Sequence, residues 1–151
     1  MNASIFDVAK YILDQAGSMT TMKLQKLCYY SQAWSLVWDE RPLFPEPFEA
    51  WANGPVCRTL YADHRGLFTV GADSAPSRIS QGDPSKLDEA ARETVDAVIR
   101  DYGVKSAQWL SDLTHAEDPW RNARAGLSLG DNCANPITDG AMADYYGGLH
   151  P

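Results

Sequence analysis

Apolar residues recur from Ile5 through Val8, Ala9, Ile12 and Leu13 to Ala16, at i, i+3, i+4, i+7, i+8 and i+11. That spacing lines one face of an α-helix. Ser4, with Asp7 three residues on, has the form of a capping box, and Gly17 is a natural stop. A second helix is predicted from about Thr21 to Trp38, capped by Thr20. Leu24, Leu27, Cys28, Ser31 and Trp34 share one face, while Lys26, Tyr30, Ala33 and Val37 share another. Apolar residues on more than one face mark a central helix touched from several sides.

The pattern then breaks. Prolines at 42, 45 and 47 exclude a regular helix. Phe48–Trp51 reads as a short extended segment and Asn53-Gly54-Pro55 as a turn, with Pro55 opening a helix to His64. Residues 69–83, rich in Gly, Ser and Pro, predict an exposed loop or a very short strand. Helical spacing returns over Ser85–Tyr102, with Ser85 and Asp88 as a capping box, and over Ala107–His115, capped by Ser106. A short helix follows the turn at Asp118-Pro119-Trp120. A last one begins after Thr138, carries Met142, Tyr145 and Tyr146, and stops at Gly147-Gly148. The sum is a compact, mainly α, all-α single domain over 1–151 with six to seven helices. One short β element is expected near 48–52 or 67–80.

Composition narrows the function classes. The chain has 151 residues, 44% hydrophobic and 22% charged, as ordinary globular proteins do. Twenty acids against 13 bases give a net charge of −7. No window clusters Lys and Arg as phosphate recognition requires, so no direct nucleic-acid contact is expected. The acidity is uneven: residues 1–70 hold seven acids and six bases, a net of −1, leaving −6 to residues 71–151. An acidic half suits a basic protein partner, and it also serves solubility. Cys28, Cys57 and Cys133 form no CxxC pair, which fits a reducing, cytoplasmic setting. The N-terminal segment lacks the marks of a signal peptide, and no apolar run nears the roughly 20 residues a bilayer requires.

Candidate chemistry is sparse. No two His or Cys residues share a metal-ligand spacing, so no metal and no cofactor are expected. Cys57 and His64 form a conceivable nucleophile–base pair, but two helical turns hold them about 10.5 Å apart. No catalytic residues are therefore assigned. Aromatics concentrate between Tyr29 and Tyr61 in greater number than one small core needs. The excess is a candidate protein-binding surface, because Trp, Tyr and Arg dominate interface hot spots.

Four segments say more: LQKLCYYSQAW (Leu24–Trp34), PLF (Pro42–Phe44), FEAWANGPV (Phe48–Val56) and LYADHRG (Leu60–Gly66). Leu113-Thr114-His115, Pro119-Trp120-Arg121 and Pro136-Ile137 follow downstream. Together, in this order, they resemble the Panacea domain, also called SocA-like, over nearly the whole chain. Cys28 and Cys57 depart from the bulkier or aliphatic residues of that pattern, and the 69–83 loop has no match in it.

The resemblance implies an antitoxin, not an enzyme. Panacea proteins pair with toxins of unrelated chemistry and neutralise them by direct protein contact. One branch is an adaptor that delivers its toxin to a cytoplasmic AAA+ protease, and copies occur in prophages and phages. The implied partners are a cognate toxin encoded nearby or such a protease, with phage anti-defence binding as a further reading. Physical reasoning and resemblance together put Lys23, Lys26, Tyr30, Trp34, Trp51, Asn53 and Arg58 forward as partner-binding residues.

Overall fold

The computed structural model describes residues 3–149. Among them are eight α-helices, one 3-10 turn and five short strands. Helix α1 (Ile5–Ala16) starts at the expected capping box: Ser4 Oγ accepts from the first turn and Asp7 accepts from Ser4 N at 2.7 Å. Its apolar face is buried from Ile5 to Leu13.

Helix α2 (Thr21–Trp38) runs through the middle of the molecule. It packs against α1, strand β3 (Gly54–Val56), α5 (Glu89–Tyr102), α6 (Ala107–His115) and α8 (Asp139–Leu149). Contact on so many sides buries polar as well as apolar side chains, and each polar group then needs an internal partner. Gln32 supplies one solution. Its Nε2 donates to Phe44 O at 2.8 Å while its Oε1 accepts from Leu43 N at 2.7 Å. Gln25, two turns earlier, grips Cys57 likewise: N–H to Oε1 at 2.8 Å and Nε2 to C=O at 3.2 Å. Tyr30 donates to Glu117 Oε1 at 2.6 Å, and Tyr146 of α8 donates to the same oxygen at 2.8 Å. Burial pushes the Glu117 carboxyl above its ordinary range, and the two phenols partly offset this.

The β structure is small. Strand β1 (Met19–Thr20) pairs antiparallel with β4 (Thr69–Val70), and β2 (Phe48–Trp51) lies between β3 and β5 (Pro136–Ile137). The sequence predicts one short β element, near 48–52 or 67–80, and strands form at both places, as β2 and β4. Three others are not foreshadowed by any run of apolar alternation.

Several boundaries differ from the sequence reading. Pro55 and Val56 do not open a helix; they pair with Ala50 and Glu49 in the β2–β3 hairpin. Helix α3 begins only at Arg58 and ends at His64, because the Gln25 clamp holds Cys57 extended as its N-cap. The 69–83 segment is not a plain exposed loop. It carries β4 and the four-residue α4 (Ser77–Ser80), and it buries Val70 and Ile79. Asp63 fixes α4 by accepting from Arg78 N and Ile79 N. The single helix over 85–102 splits into a 3-10 turn (Pro84–Lys86), capped by Asp83, and α5, capped by Asp88 alone. The short α7 (Asp118–Ala123) stands where expected, and α8 continues through Gly147-Gly148 to Leu149. Buried Met142 and Tyr146 anchor that last helix despite its glycines.

Among the described residues two buried side-chain atoms escape internal satisfaction, Lys26 Nζ and His115 Nε2. Lys26 is 1% exposed. Burial drives its pKa down to about 7.

Two stability measurements follow from α2. Gln32→Ala strands a buried N–H and a buried C=O and should destabilise by about 2–4 kcal/mol in urea unfolding. Gln108→Ala, on the exposed side of α6, should stay within about 0.5 kcal/mol. Lys26 sets a pH dependence. Its folded pKa is depressed, so the burial cost is full below about 7 and fades as pH rises toward the free-lysine value of 10.5. Lys26→Met should therefore be more stable than the parent by roughly 2–4 kcal/mol near neutrality, and the gain should shrink toward about pH 10.

Candidate functional site

The β2–β3 hairpin is held from behind by side chains of later segments. Arg124 Nη1 donates to Ala50 O at 2.9 Å, Trp120 Nε1 to Trp51 O at 2.7 Å, and Ser111 Oγ to Asn53 O at 2.6 Å. Arg124 is buried without a carboxylate partner. Its other amino group serves the carbonyls of Ser128, Leu129 and Asp131 at 2.8–3.1 Å, and its guanidinium lies 4.9 Å from the Trp120 ring centroid. One cation thus fixes the hairpin and shapes the irregular loop after α7.

Between hairpin and loop lies an open cleft of about 510 Å³. Trp51, Ala52 and Asn53 form one wall and Asn132, Cys133 and Ala134 the other, with Met22 of α2 and Arg58 of α3 completing it. Trp51 Nε1 donates to Glu49 Oε1 at 2.8 Å. Arg58 pairs with the same carboxylate at 3.0 Å and lies 5.6 Å from the Trp51 ring centroid. This pair holds the Glu49 carboxyl below its usual range against the opposing effect of partial burial. The Arg58 side chain remains 62% exposed, so guanidinium and indole are presented together and pre-positioned. An aromatic wall carrying one oriented cation suits an apolar side chain flanked by a polar or acidic group.

Of the seven residues put forward from the sequence, Trp51, Asn53 and Arg58 meet in this cleft. The other four do not line it. Lys23 Nζ donates to Gly103 O at 2.6 Å and so ties α2 to the end of α5. Lys26 and Tyr30 are buried, which removes them from the free surface. Tyr30 stacks on Tyr102 with ring centroids 4.3 Å apart. Trp34 is partly buried, donates to Tyr102 OH at 2.9 Å and stacks on Trp38 at 5.1 Å. The face of α2 that carries Lys26 and Tyr30 is an inward face. Sequence reasoning missed Glu49 and the Asn132–Ala134 wall. The acid at 49 signals its role only through the Trp and Arg around it, and the loop carries no pattern.

The nucleophile pair does not form. Burial raises the Cys57 thiol to about 11, and no hydrogen bond joins it to His64 among the described residues. The Cys57 backbone fixes the Gln25 amide with its NH2 toward His64 Nε2, 3.0 Å away. His64 Nε2 must then accept, so the ring is neutral, in keeping with the downward pull of burial on its pKa. Among the described residues no group of three or more His, Cys, Asp or Glu is placed to hold a metal ion, and no helix is long and apolar enough to cross a membrane.

Comparison with known proteins agrees with the motif reading. The family model for the SocA-like antitoxin, Panacea domain, matches residues 24–121. Antitoxin SocA of Caulobacter vibrioides (strain NA1000 / CB15N) is 30% identical over 127 residues, covering 75% of this chain and 66% of the relative. The chain thus spans just under two-thirds of that relative's length. No solved structure matches. The matched segment contains most of α2, the hairpin and two of its three rear clamps, Ser111 and Trp120, and on this match the chain belongs to the SocA-like antitoxin family, the Panacea domain.

Proposed function

We propose that this chain is an antitoxin that neutralises a protein toxin encoded nearby by direct contact, and that the cleft between the hairpin and the 132–134 loop is the contact surface. Family membership supports the role. The observation that carries the surface is the cleft, where Trp51, Asn53 and Arg58 converge on a hairpin clamped at three carbonyls. A rigid, pre-positioned aromatic and a guanidinium bind without a large ordering cost. Nothing in this mode of action requires a catalytic group, a metal or a cofactor. The free thiols of Cys28, Cys57 and Cys133 suit action in a reducing cytoplasm.

Co-expression with the product of the adjacent gene, read by growth and by co-purification, tests the reading. The chain should restore growth and retain the toxin in a stable complex. Trp51→Ala and Arg58→Glu should each weaken that complex at least about tenfold while keeping the fold. Trp38→Ala, whose side chain is 43% exposed away from the cleft lining, should not. Restored growth with a vanished toxin and no complex would instead favour delivery to an AAA+ protease. No restoration and no complex would refute both.

A further inference from the structure

Three of the segments that carry the family resemblance meet at one unpaired amine. Lys26 comes from α2, Gly54 from the hairpin turn and Thr114-His115 from the end of α6. Gly54 stands at φ +120°, and a Cβ there would lie 2.6 Å from Lys26 Cε and 3.0 Å from Thr114 Oγ1. The turn seats on the lysine only because residue 54 has no side chain. His115 is stacked on Trp120 at 4.0 Å, and its buried Nε2 also lacks a partner among the described residues. The lysine bears on both His115 and His64, lowering the pKa of each beyond the effect of burial. No acidic side chain of the described residues pairs with Lys26. Glu49, on the same hairpin, is committed to Arg58 and Trp51. A buried lysine with no acid opposite it lowers stability, and here it lies behind the wall of the cleft.

Two features connect the amine to that cleft. Met22, one helical turn before Lys26 on α2, lines the cleft with an unbranched and adaptable side chain. Asn53, the exposed tip of the turn, is tied to α6 by the Ser111 hydrogen bond, whereas Ala50 and Trp51 behind it are fixed by buried Arg124 and Trp120. Displacement is therefore easiest at Asn53, whose neighbour Gly54 packs on Lys26.

We propose that Lys26 is the seat of a carboxylate supplied by the bound partner, reached from the Trp51–Arg58 cleft as the Asn53–Gly54 turn gives way. The proposal rests on the antitoxin reading for the identity of the partner, but not for the existence of the site. A carboxylate matches the single charge of Lys26. A doubly charged phosphate would be left with uncompensated charge in a buried place. The role also accounts for a lysine kept at 1% exposure without an internal acid: binding supplies the missing counter-charge.

The test uses the intact chain with acetate as probe, at constant ionic strength, observed through the Lys26 side-chain NMR resonances. Acetate should shift these resonances saturably and raise the melting temperature, and Lys26→Met should abolish that rise. Unmoved Lys26 resonances would overturn the proposal, as would a larger response to inorganic phosphate. With the adjacent gene product, Lys26→Met should stay folded and bind at least about tenfold more weakly; unchanged affinity would overturn the proposal. Neutralising the partner's interface Asp and Glu residues, set against amidating its C-terminus, separates a side-chain carboxylate from a chain end. If neither weakens binding to the parent chain, the proposal is wrong. If the parent chain retains no adjacent gene product at all, the antitoxin reading fails, while the acetate titration still decides the site.

Discussion

A helix placed at the centre of a small protein must satisfy its own polar side chains without water, and that constraint on α2 organises the rest of the chain. Gln25 and Gln32 lie two turns apart, and each grips the backbone of a segment that has no regular structure of its own. The Pro-rich stretch at 42–47 cannot form a ladder, so Leu43 and Phe44 take their hydrogen bonds from Gln32. Ser35 does the same for Arg41 O at 2.8 Å. Tyr30 shares the Glu117 carboxylate with Tyr146 and joins α2 to the last helix through one oxygen. Remove the clamps and the loops keep buried backbone groups with no partners.

The cleft inherits its geometry from this frame. Gln25 holds Cys57 extended, which delays α3 until Arg58 and aims the guanidinium across Trp51. Arg124 serves carbonyls on both the hairpin and the facing loop, so one side chain ties the two walls. Lys26 and His115 are members of this polar core whose Nζ and Nε2 lack a partner among the described residues. The same motif thus contains residues that build the scaffold and one, Lys26, that is buried without a counter-charge among the described residues.

Much of the fold was legible because helical periodicity is a local signal. The Ser4–Asp7 capping box, the apolar stripe of α1 and the bounds of α6 follow from neighbours three and four residues apart. The hairpin was half legible: Asn53-Gly54 announces a turn, but Pro55 suits both a helix start and an edge strand, and only the distant Gln25 decides between them. Val70 and Ile79 are single apolar residues in polar surroundings, too few to show a period, yet both are buried. For the site, Trp51, Asn53 and Arg58 were identifiable from residue type and proximity in sequence. Lys26 and Tyr30 were misplaced on the surface, because charge and hydroxyl groups suggest exposure and the sequence cannot reveal a helix enclosed on all sides. The loop wall at 132–134 depends on Arg124 reaching carbonyls several residues on, which no spacing rule encodes.

On the proposed function, residues of the family motif that face inward build a frame, and residues of the cleft meet a partner. Amide hydrogen exchange of the chain, free and bound to the product of the adjacent gene, tests that division directly. Slowed exchange at residues 51–58 and 132–135, with the Trp38 and α8 face unchanged, is the predicted result. Protection confined to Trp38 and α8, with the cleft amides unaltered, would contradict it.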